Sequence, residues 1–240
     1  MATPNPSKEP SFTSLHSTLL SSPPPLLPPG HSLHPSITSQ ISAALLHPTL
    51  ESLLHLQNHD LPSAHFLVRH MQARPAWEGM YIHGILHRIE GDMPNCLAWY
   101  TDVSSSPAFQ SFFGSADGAS GGEVNPHLSF LSQTEHDSLA SPGPDDTKDE
   151  KLPPQRSARV FIRAVEELRK RSTASEGYGE RKAALEAVSR AELEALIKYC
   201  SDKFGTEKYE DASEAWTRPD EETRKTGERM VSGGEGYRKF

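Results

Sequence analysis

The chain has 240 residues, 35% hydrophobic and 23% charged. Even with its 16 glycines counted, it falls short of the ~45–50% apolar share of an ordinary globular domain, so part of it is expected to stand outside any core. A formal net charge of -8 with no long basic run argues against a nucleic-acid backbone surface, and no stretch approaches the ~20 apolar residues of a membrane-spanning helix.

Residues 1–34 are rich in proline and serine and read as a disordered leader. Their densest part, PPPLLPP at 23–29, favours extended polyproline II, with no Arg or Lys beside it to orient a proline-recognition ligand. A single helical domain is expected over 35–240, interrupted by a flexible insertion at 114–156. Ile37, Ile41, Ala44 and Leu45 trace a first helix face up to His47-Pro48, and Pro48 can open the next helix, which carries Leu50, Leu53, Leu54 and Gln57. After Asn58-His59-Asp60 a return helix presents Ala64, Leu67, Val68 and Met71.

Arg74-Pro75 separates this unit from Trp77 to Tyr100, WEGMYIHGILHRIEGDMPNCLAWY. Met80, His83, Gly84 and His87 share one helix face, with Ile85 and Ile89 beside it. Gly91 can end that helix in the left-handed conformation, and Asp92 can cap the next, which has Pro94 in its first turn. Cys96, Trp99, Tyr100 and Val103 then form a second face. The whole is a helical hairpin.

The pattern occurs twice. Leu54-His55, Asp60-Leu61-Pro62 and Ala64 are matched in frame by Leu86-His87, Asp92-Met93-Pro94 and Cys96, at a period close to that of two-helix repeats. With small Gly84, the Gly91-Asp92 turn, small Cys96 and Tyr100, residues 48–107 resemble tetratricopeptide hairpins, which implies a helical binding scaffold. The run HGILHRIEGD with the aromatic pair that follows is similar to a set of fungal and bacterial α-helical proteins of unknown function.

Beyond Val103, Phe109, Phe112 and Phe113 form an aromatic cluster suited to cap the stack. The insertion is dominated by Gly, Ser, Asp and Pro, with one stretch, HLSFLS, able to dock as a short helix. Ser157 is placed to cap a helix bearing Phe161, Ala164, Val165 and Leu168; Arg169-Lys170-Arg171 at its end reads as a solvated terminus. A last helix spans about Tyr178 to Phe204, with a break expected near Ser189, where Ser189 and Glu192 match a capping box. Its face of Leu193, Leu196, Ile197, Cys200 and Phe204 is expected to pack on the hairpins. Tyr209, Trp216, Met230 and Tyr237 punctuate a polar tail and suggest that it lies across the helical body, and 233–236 reads as a turn.

Two cysteines, Cys96 and Cys200, make no disulfide framework, and the N-terminus has neither a secretory signal nor an Arg-rich transit peptide. The expected setting is cytoplasmic, with the nucleus kept open. Neither cysteine sits at a loop or helix start that would lower its pKa, so neither is read as a nucleophile. No Ser-His-Asp order can be picked out, because the candidate serines lie in low-complexity sequence.

Nine of the twelve histidines lie between His31 and His87. The informative ones are His83 and His87, four apart on one helix, with Glu90 three further on. Two imidazoles so spaced can bind a divalent metal, and the carboxylate could be a third ligand or a base for metal-bound water. The metalloprotease motif fails, because Gly84 stands where its glutamate base would be. His65 and His70 could approach the same cleft if the two hairpins stack. Without a metal, His83 or His87 suits general-base catalysis; the plainer alternative is that both are packed, with Glu90, Asp92 or a carbonyl as partner. Arg88, Glu90 and Asp92 form a charged rim which, beside Trp77, Tyr81 and Trp99, could orient a polar ligand.

These residues lead to an all-α expectation: tetratricopeptide-like hairpins packed with C-terminal helices, a disordered N-terminus and a central insertion. The function expected is a helical binding or adaptor protein with a protein or small-molecule partner and neither nucleic acid nor membrane. The alternative is a small-molecule enzyme, metal-dependent or not, centred on His83, His87 and Glu90.

Overall fold

The computed structural model describes residues 10–115, 125–141 and 152–217. These form ten α-helices and no strand: α1 (Phe12–Leu19), α2 (Pro35–Ala43), α3 (Pro48–Gln57), α4 (Leu61–Val68), α5 (Trp77–Glu90), α6 (Met93–Val103), α7 (Pro107–Phe113), α8 (Gln133–Ala140), α9 (Arg156–Lys170) and α10 (Tyr178–Phe204). Proline marks the first turn of α2, α3, α4, α6 and α7, where its missing N–H has no intrahelical partner to lose. Asp60, Asp92 and Ser106 accept side-chain caps from the amides of Ser63, Asn95 and Phe109. Among the described residues no helix is long and apolar enough to cross a membrane.

Hairpins α3–α4 and α5–α6 are the most extensively packed pairs, and the sequence repeat survives as shared geometry. Each first helix is followed within two residues by one of positive φ, His59 at 61° and Gly91 at 92°. In each, the following aspartate amide donates to a carbonyl in the last turn, Asp60 to His55 and Asp92 to His87, both at 2.9 Å. The aspartate carboxylate then lies beside that histidine's Nδ1, at 3.3 Å in the first hairpin and 3.6 Å in the second. His59 takes a conformation that glycine adopts more cheaply, and its Nε2 lies 3.0 Å from the Pro23 carbonyl, which holds the ring in place.

Within the second hairpin α5 and α6 touch at Gly84, where a Cβ would stand 2.7 Å from the Tyr100 ring. Only glycine lets the helices approach so closely. α10 packs on α3, α7 and α9, and α9 on α6 and α8, so the hairpins, the C-terminal helices and α1 share one core.

Five expectations change. The leader is not a tail over residues 10–34: Ser11 and Ser14 form a capping box that starts α1, and Phe12, Leu15, Leu19 and Leu26 enter the core. The Asn58 side chain holds the His34 backbone by two bonds, at 3.0 and 3.2 Å, and Arg190 donates to the Leu20 carbonyl at 2.9 Å, so polar contacts anchor a stretch whose composition alone reads as disordered. Within the insertion, 125–141 folds as a 3-10 turn and α8 against α9. Ser157 does not cap α9, since its hydroxyl accepts from the Asn125 amide at 3.0 Å and the helix begins a residue earlier with no side-chain cap. α10 runs unbroken through Ser189, which is buried with its hydroxyl turned to Arg88. Arg169 is docked rather than solvated: it donates to the carbonyls of Ile89 and Glu90, each at 3.1 Å, satisfying the free C-terminal carbonyls of α5 with a cation.

The tail does lie on the body as far as residue 217. The Tyr209 amide donates to Leu45 and that of Thr217 to His70, and the Trp216 ring packs 5.3 Å from His70. Residues 1–9, most of the insertion's flanks, Met230, Tyr237 and the turn at 233–236 lie outside the described residues.

Candidate metal centre

α4 of the first hairpin packs against α5 of the second, and this contact gathers three histidines. His83 and His87, one turn apart on α5, stack at 4.8 Å between ring centroids. His65 of α4 meets both edge-on, at 5.0 and 5.4 Å. One donor nitrogen from each ring lies within 4.8 Å of the other two. A tetrahedral zinc ion with Zn–N of ~2.0–2.1 Å needs donors about 3.3 Å apart, so binding would draw the rings closer together.

The surroundings suit metal donation. Glu90 places one carboxylate oxygen 3.1 Å from His65 Nδ1 and the other 3.8 Å from His87 Nδ1, and Asp92 stands 3.6 Å from His87 Nδ1. At His65 the close carboxylate favours the tautomer protonated at Nδ1 and leaves Nε2 its lone pair, the arrangement in which a carboxylate orients a ligating imidazole; at His87 the carboxylates stand too far off for a hydrogen bond and act through charge alone. Arg169 fixes the carbonyl end of α5 that carries Glu90. His83 Nδ1 is buried with no hydrogen-bond partner, and the half-buried Trp99 ring stacks on the same imidazole at 4.7 Å.

Burial lowers the pKa of all three histidines. His83 falls furthest, to about 3, with His87, His65 and the Arg69 charge adding to desolvation. Arg69 adds to the effect of burial at His65, while Asp92 and Glu90 partly offset burial at His87. Neutral imidazole is the form that binds a metal, so protons compete weakly at neutral pH. The Glu90 pKa is raised, chiefly by burial.

His83 and His87 therefore stand together as their spacing predicts, and His65 joins them. Glu90 contacts the rings without belonging to the converging donor set. His70 goes elsewhere, with Nδ1 at 2.9 Å from the Phe66 carbonyl. The rim of ligand-orienting residues is corrected. Tyr81 and Arg88 are fully buried, because positions 81 and 88 lie on the opposite side of α5 from 83 and 87. Trp77 lies under the Arg74 guanidinium at the start of α5. Of the aromatic residues in that set Trp99 stacks on a histidine of the cluster, and Glu90 and Asp92 keep their place beside it.

Arg88 belongs instead to a core network that sequence reading missed. Its Nη1 lies 2.6 Å from Glu192 Oε2 and donates to Tyr100 Oη at 2.5 Å; Tyr81 and Tyr100 both donate to Glu192 Oε1, at 3.0 and 2.6 Å. Polar Ser189 and Glu192 interrupting the apolar stripe of α10 were the signal. Both cysteines are buried thiols whose pKa burial drives up, so they stay protonated.

Among the described residues a Ser-His-Asp order does assemble. Ser42 Oγ lies 3.5 Å from His55 Nε2, and Asp60 lies 3.3 Å from His55 Nδ1. Asp60 also caps α4 and accepts from Thr38 at 3.1 Å, and the pair repeats His87-Asp92, so it serves hairpin closure. Searches against protein-family models, curated proteins and solved structures return no match.

Proposed function

We propose that this chain is an intracellular helical binding protein whose functional centre is a divalent transition-metal site formed by His65, His83 and His87. The observation that carries the reading is the convergence of three imidazole donors from two hairpins within 4.8 Å. Nitrogen ligands suit zinc and iron, and the ion would join α4 to α5. The repeated hairpin geometry supports the scaffold half of the reading and its likeness to tetratricopeptide pairs, and two free, buried thiols fit a reducing compartment. A metal-dependent reaction is the extension of this reading in which Glu90, beside two of the ligands, acts as base.

The test is elemental analysis of the purified, untagged protein beside a His83→Ala, His87→Ala double variant of verified fold. The expected result is one zinc, iron or manganese per chain, lost in the variant. Metal-free wild-type protein that takes up no added zinc would reject the site and leave the histidines as packing residues.

A further inference from the structure

Three neutral imidazoles leave a four-coordinate ion one open position and do not neutralise its charge. Glu90 and Asp92 sit against ring Nδ1 atoms, so their charge is directed at the ligands. A cation stands beside the site as well. Arg69 is the C-cap of α4 and still has helical backbone angles, φ -59° and ψ -21°, so four residues after His65 it projects from the same helix face. Its side chain is exposed, and among the described residues no carboxylate forms an ion pair with it. Its charge acts to lower the pKa of His65, His83 and Glu90, in keeping with that position beside His65.

We infer that the open position of this metal centre takes an oxyanion, the phosphate or carboxylate group of a small molecule, with the Arg69 guanidinium as its second anchor. The inference rests on the metal reading above. An open Lewis-acidic position and a planar guanidinium fork on one side of it match an oxyanion at both ends: one oxygen on the metal and the others receiving N–H donors.

The experiment uses the full, untagged chain loaded with cobalt(II), whose visible bands report the coordination sphere. Inorganic phosphate and acetate are titrated in separate arms. The expected result is a saturable change in the cobalt bands with at least one anion, and the arm that responds assigns the group. Arg69→Gln should leave the cobalt bands intact and weaken anion binding about tenfold or more, with Arg69→Lys recovering part of the loss. Cobalt bands that ignore both anions, or an Arg69→Gln protein that binds anion as the wild type does, would overturn the inference while leaving the metal site standing. Absence of cobalt bands altogether would remove the metal reading and this one with it.

Discussion

Arg88 and Glu192 meet in the core, Nη1 to Oε2 at 2.6 Å, with both side chains shut off from solvent. They join α5 to α10, and the guanidinium also lies 4.4 Å over the Phe161 ring of α9, so one side chain links three elements. A buried pair is held by the cost of breaking it rather than by its net gain. Replacing Glu192 by Leu or Arg88 by Met is expected to cost about 3–5 kcal/mol, since either leaves an unpaired buried charge. The double variant Arg88→Met, Glu192→Leu should recover a large part of that loss. Urea unfolding of the three proteins measures the coupling, and additive losses would show that the two side chains act independently.

Gly84→Ala tests the close approach of α5 and α6. The added methyl would stand 2.7 Å from a Tyr100 ring carbon and 3.1 Å from Trp99 Cβ, and Tyr100 cannot swing aside without releasing Glu192 and Arg88. A loss of roughly 1–3 kcal/mol is expected from overpacking, read by chemical denaturation, where an ordinary helix would gain from the same change.

Metal binding should appear in stability before any activity is known. A ligand that binds only the folded state adds about 2.7 kcal/mol at a hundredfold excess over its Kd. Zinc should therefore raise the melting temperature of the apo protein and a chelator should lower it again. His65→Ala should abolish the shift and His70→Ala should keep it, because His70 contributes to the Trp216 contact rather than to the cluster.

His47 predicts a pH dependence away from the metal centre. Its ring stacks on Phe204 at 3.7 Å, and its Nδ1 accepts from the Thr49 amide at 3.3 Å. Burial first, then Lys203, lowers its pKa from 6.5 to about 4. Because the folded pKa is the lower one, the unfolded chain takes up the proton first as pH falls. The stability His47 contributes is complete above about pH 6.5, declines between there and about pH 4, and stays lost below. His47→Asn keeps a capping acceptor without the titration, so its unfolding free energy should fall less steeply over that window.

α1 can be tested by Leu19→Ala, which removes a side chain only 1% exposed. A loss of about 2–4 kcal/mol is expected for a well-packed leucine; a change near zero would restore the reading of this stretch as a tail.

Local chemistry made much of this legible from residues alone. The turn at Gly91-Asp92, the prolines that open five helices and the paired His-Asp contacts all depend on neighbours within one or two turns, so spacing specifies them. The all-α class and the pairing of His83 with His87 follow for the same reason. Tertiary contacts decided the rest. His65 became a partner because α4 packs on α5, and His70, five residues on, turned to the tail instead. Arg88 left its expected rim for the core because Glu192 and two tyrosine hydroxyls could satisfy its charge there, and the same network kept α10 continuous at Ser189. Arg169 was drawn to the carbonyl end of α5, and the proline-rich N-terminal stretch folded as far back as α1 because a core formed elsewhere in the chain could receive Phe12, Leu15 and Leu19. A periodic pattern shows which face of a helix is turned inward. Whether a charged or polar residue on that helix finds a partner depends on elements brought close only by folding, and those partners placed the imidazoles, the guanidinium and the carboxylates of this protein.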